Sequence, residues 1–373
     1  MTREQACAKI DEVIGQMNYQ GTAIEYYRYG NGHINDTFVV VCRLNNKKSM
    51  KYLLQRINHE IFKNPERLMS NIVGVTTFLR DKIIKNGGDP ERETLNIVPA
   101  KDGKSYYVDS IGSYWRSYLF IDDTLSYDLA ERTEDFYLSG LAFGNYQRLL
   151  ADYPAHTLYE TIKDFHNTKV RFKNLKKAID KDIYSRVKYA QKEIEFALAR
   201  EREAGILVDM QEIGKLPLRV THNDTKLNNI LFDKSSNKPI CIIDLDTIMP
   251  GLSINDFGDS IRFGASTGAE DEKDLSKVNF SLELYEAYVK GFIEGTAGSL
   301  TKNEIDMLPM GAKLMTYECG IRFLTDYLEG DTYFRIHREG HNLDRCRTQF
   351  KLVSDMEEKF DIMQDIVEKY RPK

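Results

Sequence analysis

The chain has 373 residues, more than one ordinary core holds, so a two-lobed arrangement is expected. A net charge of −5 with 29% charged residues describes an ordinary soluble surface and gives no case for a nucleic-acid partner. The N-terminus lacks an apolar signal core and the sequence has no run of about 18 apolar residues, so we expect a cytoplasmic protein without a membrane partner. Five scattered cysteines favour reduced thiols.

The first third of the chain predicts a small mixed lobe. Apolar residues at helical spacing indicate a surface helix that ends near Met17. Strand patterns flank a glycine turn within Tyr26–Cys42, and Lys51–Ile57 is predicted as a third strand. Asn64 followed by proline opens a helix over Pro65–Lys85, because asparagine caps and proline begins helices. A strand over Tyr114–Ile121, with Trp115 in the core, closes this lobe.

The remainder is predicted to be mostly helical, apart from a hairpin region over Pro217–Leu245. The mixed charges of Lys169–Arg202 at helical spacing indicate a solvated helix face. We therefore predict an α+β fold of two lobes. Residues 1–121 would form the small mixed lobe and residues 122–373 the larger helical lobe.

The stretch Thr221–Phe263 carries the pattern of a phosphoryl-transfer site. It contains a lone carboxylate, an amide and a second carboxylate at Asp224, Asn229 and Asp244. Phosphoryl transfer has a loose transition state, so the protein mainly positions groups and neutralises charge. Asp224 is expected to accept the proton of the attacking hydroxyl. Asn229 and Asp244 are expected to bind Mg²⁺, which prefers hard oxygen ligands, and Asp246 is expected to help.

Two short strand patterns in this stretch predict a hairpin with a polar turn. If it folds symmetrically about Ser236 and Asn237, Asn229 lies directly opposite Asp244. Facing residues on adjacent strands are about 5 Å apart, which suits two ligands of shared magnesium ions. A single aspartate is more often a turn residue, but the complete ordered set favours catalysis.

The sequence His-Asn-Asp224 with Asn229 five residues later, followed by Ile-Ile-Asp244, resembles the signature of the aminoglycoside phosphotransferase superfamily, whose members are distant relatives of protein kinases. Within it the chain most resembles the N-acetylhexosamine 1-kinases. The resemblance also covers Gly32–Phe38, Leu53–Asn58, Thr161–Thr168 and Gly320–Leu328. It implies a bilobal kinase-like fold that uses ATP and Mg²⁺. By the same resemblance, residues 1–121 would be the nucleotide-binding lobe and residues 122–373 the catalytic and acceptor-binding lobe, with a linker near 118–123.

The resemblance further implies roles for residues around the catalytic set. An aspartate at position 256 would hold the catalytic loop through its backbone, and His222 would support the same loop. Simple turn or helix capping is the alternative for Asp256 and Asp246. Backbone groups near Tyr118 and Ile121 would bind adenine.

The glycine turn after the first strand is predicted to cover the nucleotide phosphates, because glycine lets backbone N–H groups approach an anion. An ordinary hairpin is the alternative. The residues assigned to this cover are Gly30, Gly32, His33, Asn35 and Thr37.

The third strand departs from the kinase pattern, because Gln55 or Arg56 stands where a lysine is usual. Arg56 is our candidate for a phosphate contact, with Glu66 and Asn71 as possible partners. A solvated edge arginine is the alternative.

Acceptor contacts are expected from the helical lobe. Arg322 lies among apolar residues, so it needs either an ion pair with Asp326 or a contact with substrate oxygens. The resemblance favours the substrate contact and adds Phe263 and Tyr333 as sugar contacts. His33, His166 and Arg171 are further candidates that are more often structural.

Charge separates the acceptor classes. Asp331–Lys351 carries five basic and three acidic residues, an unsuitable lining for a cationic acceptor. We therefore predict an ATP- and Mg²⁺-dependent kinase, monomeric, acting on the anomeric hydroxyl of an N-acetylhexosamine. The alternatives are another acceptor, such as a different sugar, homoserine, choline or an aminoglycoside, and a nucleotide-binding pseudokinase.

Overall fold

The computed structural model describes residues 9–30, 35–130 and 132–372. The chain divides into two compact units. The division along the chain falls at Leu125 rather than at 121, and two later segments return to the first unit. The first unit comprises Met1–Leu125, Thr157–Ile162 and Leu231–Ile248, and the second comprises Ser126–His156, Lys163–Ile230 and Met249–Lys373.

The first unit is the predicted mixed α/β part, and its helix over Pro65–Lys85 has the predicted bounds because Asn64 accepts a hydrogen bond from the Arg67 N–H and Pro65 begins the first turn. Its elements are α1 (Ile10–Gln16), β1 (Thr22–Arg28), β2 (Asp36–Arg43), β3 (Ser49–Ile57), α2 (Pro65–Lys85), α3 (Pro90–Glu93), β4 (Ile97–Val98), β5 (Tyr107–Val108), β6 (Tyr114–Leu119) and β7 (Thr124–Leu125).

These strands form an antiparallel sheet in the order β1-β2-β3-β6-β4, and β5 also pairs with β6. The register places Gln55 beside Arg116 and Arg56 beside Trp115. Because side chains alternate between the faces of a strand, Gln55 and Arg116 share one face while Arg56 and Trp115 share the other. Trp115 is fully buried in the core of this unit, as predicted.

The second unit is mainly helical. Its strands are β8 (Arg219–Thr221) and β11 (Met249–Gly251), which pair with each other. A hairpin of β9 (Ile230–Asp233) and β10 (Pro239–Ile242) belongs, apart from Ile230, to the first unit, where β9 pairs with β7. The helices are α4 (Thr133–Leu149), α5 (Thr168–Lys181), α6 (Gln191–Leu198), α7 (Ile206–Glu212), α8 (Ser253–Gly264), α9 (Leu282–Thr296), α10 (Lys302–Asp306), α11 (Leu308–Leu328), α12 (His341–Glu358) and α13 (Phe360–Tyr370).

Helices α4 and α9 pack with their backbones in close approach. A Cβ atom at Gly144 would lie 2.3 Å from the Phe292 carbonyl oxygen, and one at Gly291 would lie 2.1 Å from the Tyr137 carbonyl oxygen. Only glycine fits at these positions without a shift of the backbone. The close packing fixes α4, which carries a residue that contacts the catalytic loop.

Within the described residues, no helix combines the length and the apolar character needed to cross a membrane. Among the described residues, Cys42, Cys241, Cys319 and Cys346 are free thiols, and Cys7 lies outside the described residues.

Candidate active site

The catalytic loop follows β8 in the second unit and ends in the 3₁₀ turn Leu227–Asn229. Asn223 adopts a left-handed backbone conformation with φ 63°, which asparagine tolerates better than most residues. This turn of the chain follows the fully buried His222, whose ring Nδ1 accepts a hydrogen bond from the Asp224 N–H at 3.3 Å.

The Asp256 carboxylate holds this loop from α8. It accepts hydrogen bonds from the backbone N–H groups of His222 at 2.9 Å and Asn223 at 2.8 Å, and from the Gln147 side chain of α4 at 2.8 Å. Burial raises the pKa of Asp256, and the two backbone donors offset part of that rise. Asp256 therefore acts on the loop backbone, and Gln147 couples the loop to the α4–α9 pair.

Asp224 is fixed by two side chains of its own loop. Its Oδ1 lies 2.7 Å from Lys226 Nζ, and its Oδ2 accepts from Asn229 Nδ2 at 3.1 Å. Burial lowers the pKa of Lys226, but the charge of Asp224 outweighs it, so the ammonium stays charged. Sequence reasoning missed Lys226, although its place two residues after Asp224 was visible.

The predicted hairpin forms with a different register. The Asp233 N–H donates to the Lys238 carbonyl at 2.9 Å, so the turn is centred between Ser235 and Ser236. The Asp233 carboxylate sets this turn by accepting from the Ser235 and Ser236 N–H groups at 3.0 and 2.9 Å. Neither predicted metal ligand lies in the paired strands, so the strand-partner geometry predicted for Asn229 was wrong.

The two residues occupy turns instead. Asn229 ends the 3₁₀ turn and donates from Nδ2 to the Asp224 carbonyl oxygen at 2.8 Å. This orientation leaves its Oδ1 without a hydrogen-bond donor among the described residues, as a metal ligand requires. Asp244 follows β10 with φ 59°.

No group of three or more His, Cys, Asp or Glu side chains within residues 9–30, 35–130 and 132–372 is arranged to hold a metal. Mg²⁺ in kinase sites usually keeps several waters and phosphate ligands, so it needs only one or two carboxylates from the protein. Each predicted ligand, the amide oxygen of Asn229 and the carboxylate of Asp244, is by itself a hard oxygen donor of the kind that Mg²⁺ prefers.

A buried polar network surrounds Asp246 in the first unit. Arg116 donates from Nη1 to Asp246 Oδ1, and Asn35 donates from Nδ2 to Asp246 Oδ2 at 2.6 Å. The Arg116 Nε also donates to Gln55 Oε1 at 3.0 Å, and Gln55 Nε2 donates to Thr37 Oγ1 at 3.1 Å. Both oxygens of Asp246 thus accept from protein donors, and the predicted phosphate-contacting side chains of Asn35 and Thr37 are also hydrogen-bonded within the protein.

Arg56 lies on the other face of the sheet, where its Nη2 is 2.5 Å from Asp36 Oδ2. The partners suggested for it are used elsewhere. Glu66 accepts from the Tyr106 hydroxyl, and Asn71 bonds to the backbone of Tyr159 and to the Ile248 carbonyl. The carboxylate partner of Arg56 is therefore Asp36, a contact that the sequence did not suggest.

The remaining nucleotide-side predictions lie around the sheet. Gly30 has φ 73° at the end of β1, as a turn glycine requires. Gly32 and His33 lie outside the described residues. Tyr118 and Ile121 are buried at 2% and 7% exposure, and the Ile121 carbonyl accepts from Thr124 Oγ1.

A cavity of about 370 Å³ opens in the second unit. Its walls come from α5, α11 and the segment after α11, and four positively charged side chains face two negatively charged ones. The lining residues are Arg171, Asn174, Lys177, Lys181, Arg322, Thr325, Asp326, Glu329, Tyr333 and Phe334.

Arg322 makes no ion pair among the described residues. Its guanidinium lies 5.4 Å, 5.9 Å and 5.5 Å from the rings of Phe165, Tyr333 and Phe334, at the distances of cation–π contacts. Arg171 is half-buried and donates to the Phe165 carbonyl, and both burial and the charge of Arg322 lower its pKa. The cavity therefore presents two arginines without carboxylate partners.

The ion pair considered between Arg322 and Asp326 does not form. The Asp326 carboxylate instead accepts from the backbone N–H groups of Thr332, Tyr333 and Phe334 at 2.8 to 3.0 Å. This holds both aromatic residues at the cavity, with Tyr333 66% exposed. Phe263 is half-buried in α8.

The basic residues of 331–351 used in the charge argument do not line this cavity. Arg338, Arg347 and Lys351 pair with Asp344, Glu193 and Asp355. His166 is also bound internally, because its Nδ1 lies 2.8 Å from Glu318 Oε1. The positive lining comes from α5 and Arg322 instead.

Comparison with known proteins gives one family and many similar folds. Residues 109–288 match the phosphotransferase enzyme family. The fold is similar to that of an aminoglycoside phosphotransferase from Alicyclobacillus acidocaldarius, with a TM-score of 0.61, 11% identity and 96% of each chain covered. It is also similar to a microcompartment-associated aminopropanol kinase, with a TM-score of 0.56, 14% identity, and 96% of this chain and 98% of that chain covered.

A third similar fold is that of a spectinomycin phosphotransferase in complex with ADP and spectinomycin, with a TM-score of 0.53, 13% identity, and 99% of this chain and 97% of that chain covered. The likeness confirms the predicted α+β kinase-like fold, with an antiparallel sheet in one part and helices in the other. The family match supports the superfamily assignment, and neither finding identifies the acceptor.

Proposed function

We propose that this chain is a small-molecule kinase, which its match to the phosphotransferase enzyme family supports, and that it transfers the γ-phosphate of ATP to the anomeric hydroxyl of an N-acetylhexosamine. The observation that carries the proposal is the loop geometry at Asp224. A carboxylate held by a cation and an amide, on a loop whose backbone is bonded to a buried aspartate, is a preorganised base.

In the proposed reaction the anomeric oxygen forms a bond to the γ-phosphorus while the bond from that phosphorus to the β–γ bridging oxygen breaks. The proton of the hydroxyl passes to Asp224, and the products are the sugar 1-phosphate and ADP. Lys226, 2.7 Å from Asp224 Oδ1, orients the carboxylate and supplies positive charge beside the reacting group.

The nucleotide would be ATP with Mg²⁺, which when bound neutralises charge on the phosphate oxygens. Asn229 and Asp244 are the proposed protein ligands. Asn229 offers Oδ1 because its Nδ2 is bound to Asp224. Asp246 is proposed to support the metal site through the network described above.

The cavity supports a neutral acceptor over a cationic one. Four cations against two carboxylates, one of which accepts backbone N–H groups, repel amines such as choline, ethanolamine or aminoglycosides. Sugar hydroxyl and acetamide oxygens can accept from Arg322, and the Tyr333 ring offers an apolar face to a pyranose. The anomeric hydroxyl is more acidic than the other sugar hydroxyls, so a weak base such as a carboxylate removes its proton most easily.

An ADP-release assay with ATP, Mg²⁺ and an acceptor panel tests the proposal. The panel contains N-acetylglucosamine, N-acetylgalactosamine, glucose, glucosamine, homoserine, choline and kanamycin. We expect turnover with the N-acetylated sugars and none with the cationic acceptors. Turnover with choline or kanamycin alone would contradict the acceptor assignment, and no turnover above the acceptor-free rate would favour a pseudokinase.

Asp224→Asn is the matched variant for the base. The substitution keeps the shape of the side chain and removes its basicity, so we expect a rate loss of about 10²–10⁴-fold. A variant as fast as the wild type would show that Asp224 is not the base.

A further inference from the structure

A kinase needs a cation on the nucleotide side to neutralise the phosphates. At the position beside Asp246, β3 carries no cation. Of its two cations, Lys51 lies 2.7 Å from Asp122, and Arg56 lies 2.5 Å from Asp36. Position 55, on the sheet face that carries Arg116, is glutamine.

Arg116 lies directly across from that glutamine, on β6. Its side chain is 2% exposed and that of its partner Asp246 is 5% exposed. Burying a guanidinium and a carboxylate together costs free energy that an apolar pair would not, so such a pair is poor evidence for a purely stabilising role.

The guanidinium is charged and oriented by its neighbours. An arginine guanidinium stays protonated in proteins, so the buried side chain carries a full positive charge. Nε is fixed by Gln55 and Nη1 by Asp246, whereas Nη2 makes no hydrogen bond among the described residues. One pair of N–H donors is thus left for a ligand.

We infer that Arg116, on the neighbouring strand β6, supplies the cation that β3 does not present beside Asp246: it orients Asp246 and presents Nη2 to the phosphates of the nucleotide. This inference rests on the proposed kinase function for its ligand, but it concerns nucleotide binding and is independent of the acceptor. In this arrangement Gln55 fixes the orientation of Arg116 and does not contact the phosphates itself.

Nucleotide affinity measured without any acceptor tests the inference, by calorimetric titration with Mg²⁺ and a non-hydrolysable ATP analogue. We expect Arg116→Gln to weaken binding by about 10–100-fold and Arg116→Lys to recover at least part of that loss, because a lysine keeps the charge and loses the fork. Arg80→Gln, in which an arginine of the same unit loses an ion pair to Glu91, should bind as the wild type does.

Moving the cation back to β3 is the sharper test. Because Gln55 and Arg116 are cross-strand partners, Gln55→Lys in the Arg116→Gln background returns a positive charge to the same face. We expect it to restore affinity at least tenfold over Arg116→Gln alone. A purely structural arginine would show recovered melting temperature at most, without recovered affinity.

Several results would overturn the inference. Wild-type affinity in a folded Arg116→Gln, loss of affinity in Arg56→Gln instead, or a wild-type protein that binds no nucleotide would each do so. If Arg116→Gln fails to fold, Arg116→Lys and the Gln55→Lys double variant carry the test, and loss of nucleotide binding in both folded variants would contradict the inference. Normal nucleotide binding with no sugar turnover would defeat the acceptor proposal and leave this inference standing.

Discussion

Lys226 Nζ lies 2.7 Å from Oδ1 of Asp224, two residues earlier in the catalytic loop. The contact joins the proposed base to a cation whose own pKa is raised by that carboxylate after burial has lowered it. We expect Lys226→Gln to lower kcat by about 10²-fold while KM for ATP changes less, because the charge acts mainly in the transition state. Steady-state kinetics would show this, and an unchanged kcat would exclude the role.

Arg322 offers a test of the acceptor cavity. Replacing Arg322 with glutamine removes its charged donors. We expect this to cost about 1.5–3 kcal/mol of acceptor binding, which corresponds to roughly a 10–100-fold higher KM for the acceptor. KM for ATP should stay within about twofold. Lys176→Gln on α5 is the control, since this exposed lysine pairs with Glu201 away from the cavity lining. A rise in KM for ATP alone would contradict the assignment.

Glu304 gives a pH-dependent prediction. Its buried carboxylate binds Arg219 of β8, the strand that leads into the catalytic loop, with Nη2–Oε2 at 2.7 Å. Burial alone would raise the pKa of Glu304, but Arg219 and the hydrogen bonds from Thr301 and Ser253 lower it by more, so the pKa lies below its usual value. A lowered folded pKa stabilises the fold above the usual value of about 4.3, and this stabilisation is lost as pH falls through the folded pKa.

We therefore expect Glu304→Gln to reduce the free energy of unfolding by about 3–5 kcal/mol at pH 7, and by less as the pH falls below about 4. Urea denaturation of both proteins at pH 7, 5 and 3 measures the difference. A difference that grows as the pH falls would have the wrong sign for this account.

The α4–α9 contact predicts sensitivity to a single methyl group. Gly144→Ala places a Cβ 2.3 Å from the Phe292 carbonyl, so we expect a loss of about 1–3 kcal/mol in stability. The helix also carries Gln147, which contacts Asp256, so kcat should fall with it. Gly15→Ala, where no atom lies within 4 Å of the added Cβ, is the control. Equal melting temperatures for the two variants would contradict the packing argument.

Local patterns predicted the parts of the site that are local in the chain. The helix at Pro65 follows from its Asn64 cap, and the loop motif placed Asp224 and Asn229 five residues apart, where they hydrogen-bond. Arg116 and Asp246 are 130 residues apart, and no periodicity or turn signal links them. Their pairing depends on which strand lies beside β3.

The wrong expectations also have physical causes. The spacing of Arg322 and Asp326 suits a helical ion pair. The Asp326 carboxylate instead accepts hydrogen bonds from three backbone N–H groups of the segment that follows α11. The hairpin register depended on which turn residues were central. The Asp233 carboxylate fixes the turn by accepting hydrogen bonds from the Ser235 and Ser236 N–H groups. Polar turns of the same composition can be centred on other residues, so the sequence alone does not determine the register.

The central claim is transfer to the anomeric oxygen, and the most direct measurement is ³¹P NMR of the product formed from N-acetylglucosamine, ATP and Mg²⁺, with the methyl glycoside as the blocked control. We predict a phosphate resonance coupled to the anomeric proton and no product from the methyl glycoside. A phosphate on another hydroxyl, or turnover of the methyl glycoside at the rate of the free sugar, would contradict the account.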